Sequence, residues 1–206
     1  MKTQTKLKTM LCLIAVIAVT AVILSVQSAF SLSAVSAETA VCAKSEAAEQ
    51  EREYVIFTEK NIKTEDMRKK SDLTEEKLSE YLKKFPGLSG IEKALISAQE
   101  DYTVNAVLIL AIIRLESGNG KSHLAKSKNN LGGLKAAAVY RSFDTKNDCV
   151  EYMANLLSTH YLTEGGKYYK GYTLEDIAKT YCTSSEKWTE LVKNLIYEIQ
   201  TSLDKI

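Results

Sequence analysis

The sequence predicts a mainly α-helical domain with no more than a vestigial sheet, set behind an N-terminal apolar helix and a charged stalk. Three observations predict it. Beyond residue 71, apolar residues recur at helical spacing in a series of separate stretches. All nine glycines and the single proline lie at position 86 or later, in tight clusters that punctuate those stretches. Only Val139 to Phe143 reads as extended chain.

The N-terminal segment, 1–37, is a targeting sequence. Lys2, Lys6 and Lys8 form a positive start with no acidic residue, and Met10 to Val26 is apolar apart from Thr20 and Ser25. Val35, Ser36 and Ala37 supply the small residues of a cleavage site, placing the cut after Ala37. An uncleaved anchor is the rival, because the apolar run approaches the roughly 20 residues of a membrane span. Either way the rest of the chain lies outside the cytoplasm, since the lysines stay inside. Residues 38–70 are rich in Ala, Glu, Lys and Thr, with Tyr54 to Phe57 the one apolar cluster, and read as a stalk. The compact domain is expected over 71–206.

Within that domain Ser71 or Thr74 caps a short helix, Glu75 to Lys84, which stops before Pro86 because the residue preceding a proline is pushed out of helical geometry. A second helix runs from about Ser89 to Glu100. Thr103 to Ser117 is apolar on nearly every face as far as Arg114, and a helix apolar all round is a buried one. Thr145 to Tyr161 carries apolar residues at 150, 153, 154, 157 and 161, the pattern of an amphipathic helix. Thr173 and Asp176 form a capping box for Leu174 to Tyr181. The last helix, about Glu186 to Leu203, buries Trp188, Leu191, Val192, Leu195, Ile196 and Ile199.

The chain of 206 residues is nearly neutral, with 27 basic and 26 acidic side chains, and becomes slightly acidic once the three lysines of 1–37 are removed. That balance makes no demand for nucleic acid. Of the four cysteines, Cys12 falls in the apolar segment and Cys42 in the stalk; Cys149 and Cys182 form either a disulfide or two buried thiols. Neither they nor His123 and His160 have metal-ligand spacing, so no metal and no cofactor is expected.

The chemistry points to Ala111 through Gly120. Glu116 ends a buried helix, where the dipole is negative and apolar surroundings are expected. Both effects disfavour ionisation, so its pKa should rise, as a general acid near neutral pH requires. Gly118 and Gly120 end the helix and leave room for a substrate. On these grounds alone, an ordinary helix-end glutamate followed by a C-cap glycine is an equal alternative.

The blocks that follow shift that balance. Glu116-Ser117-Gly118-Asn119-Gly120 leads into Asn129-Asn130-Leu131-Gly132-Gly133-Leu134-Lys135, then Tyr140-Arg141-Ser142-Phe143-Asp144, Asp148 to Met153, and Gly171 through Ala178 to Tyr181. This order resembles the glucosaminidase family of bacterial peptidoglycan hydrolases, the autolysin group described as endo-β-N-acetylglucosaminidase-like, over about half of the chain. The resemblance implies a lysozyme-like helical fold with a cleft between two lobes, acting without cofactor on β-1,4 links of a peptidoglycan strand. It implies Glu116 as the acid, with Ser117, Asn129, Asn130 and Tyr140 on the substrate and Tyr181 in the cleft.

Two departures bear on mechanism. Many relatives have Asn-Leu-Phe-Gly where this chain has Asn130-Leu131-Gly132-Gly133, which removes an aromatic contact. The segment from Lys135 to Tyr140, where some relatives carry a second carboxylate, holds no acid. Asp144 is the nearest acidic residue, either as that partner or as a cap for the helix beginning near Thr145. The substrate's own acetamido group, or a water activated by Tyr181 or Asn130, are the other routes. A muramidase or lytic transglycosylase of the same fold, and a glycan-binding module that has lost its chemistry, are the competing functions.

Overall fold

A computed structural model describes residues 54–206. The expected leader, Cys12, Cys42 and the first part of the stalk lie outside the described residues. The rest is mainly helical, as the periodicity predicts, with two short two-stranded pairings.

Helix α1, Glu75–Leu82, starts at Thr74, whose hydroxyl accepts from the Lys77 amide. A 3₁₀ turn, Pro86–Leu88, follows it and leads to α2, Glu92–Tyr102. Thr103 closes α2 in the left-handed region (φ 55°), so the next helix begins later than the apolar run suggests: α3 is Ala106–Ser117, capped by Asn105, which accepts from the amides of Val107 and Leu108. Every side chain from Ala106 to Ile113 is fully buried. Burying each leucine or isoleucine is worth about 1.5–3 kcal/mol, which makes α3 the post around which the domain packs. A six-residue helix, α4 (His123–Lys128), is too short and polar to leave a periodic signal in the sequence.

Among the described residues, a hairpin of β3 (Lys135–Ala136) and β4 (Val139–Tyr140) stands where a second lobe is expected. Helix α5, Lys146–Leu156, passes into a π-helical turn, Leu157–Tyr161. The predicted capping box of Thr173 and Asp176 opens α6, Leu174–Tyr181. Helix α7, Ser185–Leu203, lies against both α3 and α6.

The stretch assigned to the stalk is not all stalk. Residues 54–71 fold onto the helices: β1 (Tyr54–Val55) pairs in parallel with β2 (Lys70–Ser71), and Val55, Phe57, Ile62 and Met67 are buried. Polar staples fix this segment to the start of α3. Asn105 Nδ2 donates to the Lys69 carbonyl at 2.8 Å, and Gln99 Oε1 accepts from the Ser71 amide at 2.7 Å and from the Ala106 amide at 3.2 Å. The same segment braces the loop before α6, where the Met67 amide donates to the Tyr172 carbonyl and Arg68 stacks 3.4 Å above the Tyr172 ring.

Candidate active site

Helix α3 delivers Glu116 to the floor of a cleft of about 560 Å³. The turn after it is held from within. Gly118 takes the left-handed C-cap position (φ 57°) and its amide reaches the Arg114 and Leu115 carbonyls. Ser117 is buried, donates to the Ile113 carbonyl at 2.6 Å and accepts from the Gly120 amide at 2.7 Å. Gly120 does not open space for a substrate; a Cβ there would stand 2.4 Å from the Gly87 carbonyl oxygen, so it is a backbone-to-backbone contact.

The Glu116 side chain is exposed, so the apolar surroundings expected of it are absent. Its environment is specific nonetheless. Trp188, buried near the start of α7, donates from Nε1 to Glu116 Oε1 at 3.2 Å. The other oxygen, Oε2, faces Gly133, where an added Cβ would sit 4.0 Å away. From Trp188 a row of rings runs along the cleft: Tyr181 at 4.8 Å between centroids, then Tyr161 at 5.5 Å and Tyr168 at 5.0 Å. The π-helical turn brings both His160 and Tyr161 to the cleft, and π turns of this kind recur at functional sites.

Tyr181 lines the cleft with its hydroxyl proton held well above the ordinary tyrosine range, first by burial and then by the negative charge of Glu116. Its hydroxyl therefore stays protonated and serves the cleft as a hydrogen-bonding group. Asn130 is tied into the loop beside the cleft. It is buried, and its amide donates to the Leu134 and Arg141 carbonyls while its oxygen accepts from the Leu134 amide, which pins the glycine loop.

Asn129 caps α4 with φ 49° and donates to the Phe143 and Asp144 carbonyls. Ser117 faces its own turn. Asp144 is exposed and does not line the cleft, and the cap of α5 is Thr145, which forms a capping box with Asp148. Tyr140 stands exposed on the hairpin with Lys135, a cleft residue, over its ring at 5.0 Å. Among the described residues, Glu116 is the only carboxylate in the cleft.

Sequence reasoning placed Trp188 and Tyr161 in the core and missed their role at the cleft. A buried indole N–H needs an acceptor, which is a signal that a partner exists, though not which one. Cys149 and Cys182 are both free thiols; Cys149 accepts from the Leu131 amide at 3.2 Å, and burial pushes its thiol up. Among the described residues no group of His, Cys, Asp and Glu is arranged to hold a metal ion.

The cleft and its helices coincide with a known pattern. The glucosaminidase sequence family, described as mannosyl-glycoprotein endo-beta-N-acetylglucosaminidase, matches residues 92–201, from the start of α2 into the last turns of α7. No curated protein matches the sequence. Among solved structures, S. aureus autolysin E is similar in fold, with a TM-score of 0.57 at 20% identity over 70% of this chain and 73% of that one. The same enzyme in complex with the muropeptide NAM-L-Ala-D-iGlu gives 0.56 at 20% identity, covering 68% of this chain and 72% of that one. A catalytic mutant of it in complex with the disaccharide NAG-NAM gives 0.51 at 19% identity, with the same coverage. The family match spans more than half of the chain and encloses Glu116, Trp188 and all the cleft residues between them: the chain belongs to the glucosaminidase family.

Proposed function

We propose that this cleft hydrolyses β-1,4 glycosidic bonds of peptidoglycan, in the N-acetylglucosaminidase manner, with Glu116 as the general acid. The observation that carries the reading is the carboxylate itself. It is the sole acid of an aromatic-lined cleft within the family region, and one of its oxygens is already engaged by Trp188. With Oε1 fixed by the indole, the proton to be delivered sits on Oε2, on the side where Gly133 carries no side chain to block it. As it passes to the glycosidic oxygen, the bond from that oxygen to the anomeric carbon breaks and positive charge develops on the ring.

The second group comes from the substrate. Asp144 is outside the cleft, Asn130 is tied to the glycine loop and absent from the cleft lining, and Tyr181 keeps its proton, so the acetamido oxygen of the sugar is the nucleophile left at hand. Water then opens the cyclic intermediate, with Glu116 taking back a proton. The aromatic row offers ring faces and hydroxyls suited to sugars.

A lone carboxylate also fits a lytic transglycosylase, in which the sugar's own hydroxyl attacks instead of water; the products separate the two. A substrate of this kind lies outside the cytoplasm, which accords with 1–37 as a signal or anchor and a short spacer ahead of residue 54. The test is a peptidoglycan gel overlay with the full chain. Wild type clears it and Glu116→Gln does not; equal clearing by both overturns the assignment of the acid.

A further inference from the structure

We propose that the cleft recognises carboxylate groups carried by its glycan, through Lys135, Lys167 and His160. The inference rests on the glycosidase reading of Glu116 and adds to it the charge of the substrate. Some lysines of the domain, such as Lys63, Lys69, Lys179 and Lys193, sit in ion pairs, and others stand on the surface without one. Among the described residues, Lys135 and Lys167 have no carboxylate partner, and both line the cleft.

Each is instead seated over an aromatic ring. Lys135 Nζ lies 5.0 Å from the centre of Tyr140, and Lys167 Nζ lies 5.0 Å from the centre of Tyr168. His160 meets the same Tyr168 edge-on at 6.1 Å. The two ammonium groups come from separate segments, the hairpin and the loop before α6, and converge on one site whose single acid is Glu116. The cleft therefore carries an excess of positive charge.

That excess does nothing for a strand of neutral N-acetylhexosamines, which offers only hydroxyls and amides. A strand whose alternate sugars bear short peptides ending in free carboxylates meets it with the opposite sign. Two exposed pairs of this sort strengthen binding about ten-fold, and salt weakens the effect. The aromatic seats reduce the freedom each lysine gives up on pairing.

The test measures binding with the full chain carrying Glu116→Gln, so that the polymer is not consumed. Co-sedimentation is run with insoluble peptidoglycan and with the same material after its carboxyl groups are converted to neutral methylamides. The expected result is that capping weakens binding about ten-fold, and that Lys135→Gln with Lys167→Gln lowers binding to the native polymer to the level of the capped one. Equal binding to the two polymers overturns the proposal, as does a double variant that loses binding equally on both. Loss of discrimination with wild-type cleavage intact sinks the charge recognition alone. Discrimination without any cleavage by wild type sinks the glycosidase reading alone.

Discussion

Trp188 Nε1 donates to Glu116 Oε1 at 3.2 Å, tying the last turn of α3 to the first turn of α7 across 72 positions of sequence. The bond fixes which oxygen of the carboxyl is free. Trp188→Phe keeps an aromatic ring against Tyr181 and deletes the donor. A net hydrogen bond is worth about 1 kcal/mol, so kcat should fall about five-fold, and the cavity left by the smaller ring should lower Tm as well. An unchanged kcat would show the bond to be incidental. Trp188 is also the only tryptophan of the chain, so its fluorescence should shift when glycan binds beside Glu116.

Two glycines of the turn after Glu116 should respond differently to the same change. Gly118→Ala meets no atom within 4 Å and suffers only from its positive φ, a cost of about 1 kcal/mol. Gly120→Ala adds a backbone clash with Gly87 to a φ of 76° and cannot be relieved by moving a side chain. Thermal unfolding should show a markedly larger drop in Tm for Gly120→Ala than for Gly118→Ala.

At high pH the buried tyrosines govern stability. Burial raises Tyr161 to about 12, and burial followed by the charge of Glu116 raises Tyr181 further, against an ordinary 10.0. A raised value means that the native state holds its proton more tightly than the unfolded chain does. The stability involved is intact below pH 10.0 and is lost as pH rises from there through the native values. Denaturant midpoints should be flat up to that point and then decline, less steeply in Tyr161→Phe. No alkaline loss of activity below it should trace to Tyr181.

At low pH the sign reverses. Burial alone would raise Asp66, but its bonds from the Arg68 side chain and backbone outweigh burial and hold it below 3.8. Its contribution is present above 3.8 and is lost as pH falls below that value through the native one. Since Arg68 also braces Tyr172, Asp66→Asn should lower stability at neutral pH and flatten the acid limb of a denaturant titration.

What the sequence disclosed follows from the range of the interactions. Helix α3 was legible because burial on all faces leaves a continuous apolar run, and α6 because its capping box spans only four residues. The segment over 54–71 was not, because the alternation of Val55 and Phe57 is too short to mark a strand, Ile62 and Met67 follow no period, and the segment is held by side chains of Gln99 and Asn105 far along the chain. At the cleft, Glu116 stood out from its helix-end position. The asparagines suggested by resemblance turned out to be satisfied by nearby carbonyls, a fact that depends on how the loop folds back and not on residue type. Trp188 and Tyr161 were hidden because their spacing is that of a core face, and a core face and a cleft floor here are the same surface.

The most direct measurement is mass spectrometry of reduced fragments released from peptidoglycan by the full chain, with Glu116→Gln alongside. The account predicts fragments ending in reduced N-acetylglucosamine from wild type and none from the variant. Fragments ending in muramic acid or in an anhydro sugar, or the same fragments from both proteins, would contradict it.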